Sequence, residues 1–226
     1  MKIALLLTGF TRSHLQNFET IKHFILDRYN TDVYFATWNK TQGNLNSQLS
    51  DSDNKSIIDL YGNRLKQYSI VDFDYYMKNK STIQFLDRDD DVFKTNNRAI
   101  EHGSFWVERL RDQWYLVNIA NKLICDSYDK VIRLRFDIKL NNFSILNENF
   151  VIPKPHPINP YTDHMAYGSQ EIMNKYCSMF LHIEKLYKEY NLDISFAELM
   201  LKFYMEKTEP YINCFIDDNI NYEIIK

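Results

Sequence analysis

Three charged residues at alternate positions, Arg133, Arg135 and Asp137, stand in the otherwise apolar stretch Val131-Ile132-Arg133-Leu134-Arg135-Phe136-Asp137. A guanidinium presents a fork of donors that suits phosphate oxygens, and a carboxylate can hold a divalent cation. Val131, Ile132, Leu134 and Phe136 suit a pleated, packed surface, so the stretch reads as a strand. Side chains alternate along a strand, which puts the three charged residues on one face. Buried ions are costly unless paired. A core strand ending Arg-x-Arg-x-Asp therefore calls for a bound ligand or for an internal ion pair at its terminus. In open α/β sheets ligands sit beyond the carboxyl ends of the strands, which is where Asp137 falls.

Other residues could do chemistry. Asp163 precedes a short predicted strand, Met165 to Tyr167. A carboxylate there could take a proton from a hydroxyl, and its competing role is an Asx-turn. His164 is either a metal ligand or a hydrogen-bonded structural histidine. Glu198, in Ser195-Phe196-Ala197-Glu198, has capping-box spacing, and its rival role is a second acid or base. Gly9-Phe10-Thr11-Arg12 follows the apolar run Ile3 to Thr8. Gly9 allows close backbone approach, Arg12 offers donors, and a helix amino end favours anions. An ordinary strand-to-helix turn has the same spacing. The acidic run Asp87-Arg88-Asp89-Asp90-Asp91 has no apolar strand leading into it and reads as a solvated loop.

The elements that must position these residues follow from periodicity. Ile3 to Thr8 is a strand covered on both faces. Ser13 caps a helix carrying Leu15, Phe18, Ile21 and Ile25. Asp32 to Ala36 is a second strand, which completes a βαβ unit with parallel strands. Asn39 to Lys55 reads as a polar surface loop, Ser56 as the cap of a short helix, and Tyr68 to Phe73 as a third strand. His102 to Ser127 is the longest helical pattern, with Phe105, Leu110, Trp114, Val117 and Leu123 inward and Arg109 and Arg111 outward, while Gln113 either lies at the surface or hangs from its end of the helix toward the cleft. The proline-rich segment from Pro153 to Pro160 is a stiff wall. Ser169 caps the next helix. Tyr211 to Ile216 closes the sheet, and Asp217 onward is a surface tail. The expected class is α/β, three layers deep, with a mostly parallel central sheet.

Composition excludes some functions. A net charge of −3 gives no general attraction to nucleic acid or anionic lipid, so phosphate binding must come from local arginines. No apolar run is long enough to span a bilayer. The three cysteines, Cys125, Cys177 and Cys214, are widely spaced and odd in number, which points to reduced thiols in a cytosolic protein and to no zinc site. Walker A, GxGxxG and Ser or Cys nucleophile motifs are missing. The 226 residues fit a single domain.

Four signatures occur in order: Leu7-Thr8-Gly9-Phe10-Thr11-Arg12, Asp32-Val33-Tyr34-Phe35-Ala36-Thr37-Trp38, the stretch from Tyr128 to Asp137, and Asp163-His164-Met165-Ala166-Tyr167-Gly168-Ser169. Together they resemble small GT-A-type glycosyltransferases from bacterial polysaccharide loci and large viruses, from Lys2 to about Lys175. The resemblance implies a GT-A-like domain with a Rossmann-like nucleotide-binding half, residues 1–137, and an acceptor half, residues 138–226. It implies a nucleotide-diphosphate sugar as donor, UDP-linked by preference, a glycan acceptor, and Mn2+ or Mg2+ as cofactor. Thr8, Gly9, Phe10, Arg12, Arg133 and Arg135 would contact the donor. Trp38 would lie near the base or ribose, and Asp137 would be the metal ligand. Asp163 is the first candidate base and Glu198 the second, with inversion the favoured outcome. The chain departs from the usual Asp-x-Asp by having Arg135 two places before Asp137, which implies weaker metal binding. The competing functions are sugar-phosphate nucleotidyl transfer and non-catalytic carbohydrate or partner binding. The oligomeric state is open.

Overall fold

The computed structural model describes residues 1–11, 13–41, 44–48, 51–80, 97–154, 161–190, 197–208, 210 and 213–225. The strands are β1 (Lys2–Thr8), β2 (Asn30–Trp38), β3 (Lys40–Thr41), β4 (Asn44–Gln48), β5 (Leu65–Val71), β6 (Lys130–Arg135), β7 (Ile138–Asn142), β8 (Phe150–Pro153), β9 (Met165–Gly168), β10 (Cys214–Asp217) and β11 (Asn221–Ile224). Seven of them form the central sheet in the order β10-β8-β9-β6-β1-β2-β5. The pairs β1/β2, β1/β6, β2/β5 and β8/β10 are parallel, whereas β9 runs antiparallel to both β6 and β8.

Side-chain alternation explains the layers. Ile3, Leu5 and Leu7 of β1 join Ile132, Leu134 and Phe136 on one face, under Phe18, Ile21 and Ile25 of the first helix and Ile57 and Tyr61 of the second. Ala4 and Leu6 join Val131 on the other face, under Leu110, Trp114 and Val117 of the helix Asn97–Lys122 and Met173 and Tyr176 of the helix Gln170–Cys177. Helices on both faces of a mostly parallel sheet are the expected three-layer α/β architecture. Among the described residues, no helix is long and apolar enough to cross a membrane.

The chain passes from β1 to β2 and β5 on one side, then returns to place β6 on the other side of β1. The gap between the carboxyl ends of β1 and β6 is thus the topological switch point, where open α/β sheets take their ligands. Thr8 and Arg135 are register partners there. The reversed direction of β9 brings its preceding residues, Asp163 and His164, to the same edge, and the Arg135 N–H donates to the His164 carbonyl at 3.2 Å.

Several local expectations are corrected. Asn39 to Lys55 contains the β3–β4 hairpin and the start of the helix Asp51–Tyr61, so Ser56 lies inside that helix and does not cap it. Ser13 sits at the N-cap without a capping side-chain bond, because its hydroxyl donates to the Ile225 carbonyl instead. Asp217 onward is not a loose tail. Residues Asn221–Ile224 form β11, antiparallel to β7, where alternating side chains match across the pair and Lys139 meets Glu223 at 2.6 Å. Arg111 is buried, not outward. The Ser169 cap is present and accepts from the Ile172 N–H. The acidic run at residues 87–91, most of the proline wall and Ser195 lie outside the described residues.

Gly168 holds β9 close to the segment entering β8. A methyl group on its Cα would lie 2.2 Å from the Asn149 carbonyl oxygen, which is backbone and cannot swing aside. Gly168→Ala is expected to destabilise the fold by about 1–3 kcal/mol, read as a lower urea midpoint at unchanged m-value.

Candidate active site

The end of β6 turns sharply at Phe136 and Asp137 into β7. That turn is held from both sides. The Phe136 N–H donates to the Thr8 carbonyl at 3.2 Å, and the buried Asn17 amide donates to the Phe136 carbonyl at 3.1 Å. The Ile225 N–H donates to the Asp137 carbonyl at 2.9 Å. β1, the first helix and the C-terminal strand therefore converge on one turn.

Arg135 and Asp137 form a bidentate pair, Nε to Oδ1 at 2.9 Å and Nη2 to Oδ2 at 2.6 Å. Asp137 is 5% exposed, while the Arg135 side chain retains 24% of its surface. Arg133 is fully buried between Leu6 and Ala166 in the register, with its guanidinium carbon 5.7 Å from the Trp114 ring. Its Nη1 donates to the Asp163 carbonyl, and its Nε and Nη2 find no protein acceptor among the described residues. The buried Thr8 hydroxyl, on the same sheet face, likewise has none there. Groups of this kind at a sheet edge favour a bound polar ligand, because buried donors left unmade are costly.

Asp163 is the second focus. It is 5% exposed, yet both carboxylate oxygens are engaged. Gln113 Nε2 donates to Oδ2 at 2.7 Å, and His164 Nε2 lies 3.3 Å from Oδ1. Burial alone pushes this carboxyl up, but His164, Arg133, the Gln113 hydrogen bond and Arg135 outweigh it and hold it below the ordinary carboxylate value. Burial also pushes His164 down, against the pull of Asp163 and with the help of Arg135 and Arg133. At neutral pH the contact is thus a neutral imidazole donating to a carboxylate, not an ion pair. The result is an ionised acid beside two guanidinium groups, at the switch point.

The expected site residues divide by location. Thr8, Arg133, Arg135, Asp137 and Asp163 come together at the carboxyl edge. Gly9 follows directly with φ of 110°, a conformation that side-chain-bearing residues rarely adopt. Phe10 is half-buried against the core. Arg12 lies outside the described residues. Trp38 is 3% exposed and packs on Phe73, Tyr76 and Tyr115, with the Tyr115 ring stacked at 5.9 Å. Glu198 lies in the first turn of the helix Ala197–Thr208, where an acid complements the helix amino end. The described contacts of the Asp163 cluster do not include it.

Two further members of the cluster are Gln113 and Tyr222. Of the two places open to Gln113, the surface and the cleft, it takes the cleft: one turn of helix beyond Leu110 brings it over the sheet edge onto Asp163. Tyr222 falls in the segment read as a tail, and its phenol reaches His164 Nδ1 at 2.9 Å. The alternation in Asn221–Ile224 was the available signal for that strand.

No family model and no curated protein matches the sequence. Among solved structures the chain is similar to mouse xyloside xylosyltransferase 1 in its apo form, at 8% identity and a TM-score of 0.43, over 96% of this chain and 85% of that one. It is similar to the galactosyltransferase LgtC in complex with donor and acceptor sugar analogues, at 9% identity and a TM-score of 0.45, over 91% of this chain and 70% of that one. It is similar to the PaToxG glycosyltransferase, at 11% identity and a TM-score of 0.40, over 92% of this chain and 68% of that one. At these scores the similarity assigns this chain no activity, and its own residues must carry the reading.

The cation that the GT-A resemblance implies can be tested against those residues. Both oxygens of Asp137 already accept from a guanidinium. Both oxygens of Asp163 have donors of their own. Among the described residues, no group of three or more His, Cys, Asp or Glu side chains could hold a metal ion. A cation held by one or two carboxylates together with donor phosphates and waters would have to share Asp137 with Arg135, or Asp163 with Gln113 and His164.

Proposed function

We propose that this chain is a glycosyltransferase that moves a sugar from a nucleotide-diphosphate sugar, UDP-linked by preference, to a hydroxyl of a glycan or similar acceptor, in glycan or surface-polysaccharide synthesis. The observation that carries the reading is the buried Asp163 gathered with Arg133 and Arg135 at the β1/β6 switch point. Glycosyl transfer passes through an oxocarbenium-like state while negative charge grows on the departing diphosphate. Pre-placed cations aimed at that charge are usually the largest single contribution. Arg135, oriented by Asp137, supplies one, with Arg133 behind it. Thr8, Gly9, Phe10 and Arg12 line the donor. Asp163 takes the acceptor's hydroxyl proton as the acceptor oxygen bonds to the anomeric carbon and the bond to the diphosphate breaks, which inverts the centre. Residues 1–137 form the nucleotide half and 138–226 the acceptor half.

A thermal-shift screen of nucleoside diphosphates and their sugars, with Mn2+ and with EDTA, tests this. A ligand at a hundred times its Kd adds about 2.7 kcal/mol, which raises the Tm of a chain this size by roughly 5–10 °C. One nucleoside diphosphate class is expected to do so, and to do so in EDTA as well, because Arg135 already supplies positive charge. Stabilisation by free glycan but by no nucleotide would instead favour a carbohydrate-binding domain. Pyrophosphate release from a nucleoside triphosphate and a sugar phosphate would favour nucleotidyl transfer.

A further inference from the structure

We infer that Tyr222, delivered by the C-terminal strand β11, is a positioning residue that fixes the ring of His164 and, through it, the Asp163 carboxylate. The inference deepens the reading of Asp163 as the base and rests on it for its catalytic meaning.

The hydrogen-bond directions close in one way for a neutral ring. The His164 backbone N–H donates to Thr162 Oγ1 at 3.3 Å, which leaves the Thr162 hydroxyl proton for the Tyr222 oxygen at 3.2 Å. The Tyr222 phenol keeps its own proton, because burial pushes its pKa up. That proton goes to His164 Nδ1 at 2.9 Å. With Nδ1 accepting, the ring proton sits on Nε2 and is donated to Asp163 Oδ1 at 3.3 Å. Gln113 supplies the donor for Oδ2 at 2.7 Å. Running the chain backwards would set the Nε2 lone pair against a carboxylate oxygen. The Tyr222 ring also meets the imidazole edge-on, with centroids 5.8 Å apart.

The chain is anchored at both ends. β11 is stitched to β7 by its ladder, and Ile225 is bonded to the Asp137 carbonyl and to the Ser13 hydroxyl. The phenol therefore arrives on a strand tied to the same turn that carries Asp137. Side chains locked by such partners hold a reacting group in place, and freeing them loosens it. The charged and titratable groups facing His164 are Asp163 and Asp137, which favour its charged form, Arg135 and Arg133, which oppose it, and the Tyr222 phenol.

The test uses the full chain and long-range proton–nitrogen NMR of the histidine rings, with the His164 signal assigned by its loss in His164→Gln. The wild type is expected to show the Nε2–H tautomer. Tyr222→Phe removes a donor that stabilises the neutral ring, so the His164 titration should move up by roughly one pH unit. In a transfer assay the same variant should lower kcat by up to about 10²-fold at unchanged donor KM. Thr162→Val should move the titration the same way by less, and it serves as the reading if Tyr222→Phe does not fold. An Nδ1–H tautomer in the wild type, or an unmoved titration in both folded variants, overturns the inference. Because the NMR readout needs no turnover, it fails separately from the reading of Asp163 as the base, which full transfer activity of Asp163→Asn would sink.

Discussion

Asp163→Asn is expected to lower transfer by about 10²-fold while leaving a folded protein. General bases contribute about 10²–10⁴-fold, most when their pKa lies near the working pH. Asp163 is held below the ordinary carboxylate value, which makes it a weak base and puts the expected loss at the low end of that range. The larger share of the acceleration then belongs to the guanidinium groups facing the leaving diphosphate. Asparagine keeps the shape but offers one oxygen where Gln113 and His164 both donate. One of those donors is left unmatched, at a cost of about 1–3 kcal/mol. The checks are initial rates with the donor found by thermal shift and a urea melt of the variant. Activity within a few-fold of wild type would remove Asp163 as the base.

The second large effect concerns acid stability. His14, the first residue of the helix His14–Ile21, is fully buried, with Nε2 2.9 Å from the Tyr61 hydroxyl, and its ring stacks on Tyr61 at 5.6 Å and meets Phe136 edge-on at 4.7 Å. Its Nδ1 has no described partner. Burial pushes its pKa down to about 3 from the ordinary 6.5. The unfolded chain therefore binds this proton first as the pH falls. The stability that His14 contributes is complete above pH 6.5 and is lost progressively as the pH drops toward 3. At pH 4 the loss is about 3 kcal/mol. The double replacement His14→Phe with Tyr61→Phe removes both polar partners together, which is close to neutral when shapes match. The variant should match wild type within about 1 kcal/mol at pH 7 and exceed it by about 3 kcal/mol at pH 4. Urea melts at the two pH values decide it, and an equal difference at both would rule out His14 as the acid-sensitive group.

Much of this protein was written in local pattern. The apolar run Ile3 to Thr8, the alternation from Val131 to Phe136 and the helical spacing through Leu110, Trp114 and Val117 report which faces must be buried, and burial is what makes these elements. The charged end of β6 and the position of Asp163 before β9 were legible for the same reason: polar groups that interrupt a buried pattern stand out against it. Pattern also misled where two environments share one signature. Trp38 after a strand reads alike whether it faces a ligand or stacks on Tyr115, and the short alternation in Asn221–Ile224 reads as a tail until β7 is there to pair with it. The rest was decided in three dimensions. The reversal of β9, the return of β6 to the far side of β1, and the arrival of Gln113 and Tyr222 beside Asp163 depend on contacts between residues distant in the chain, and periodicity carries no information about which distant neighbour a face will meet.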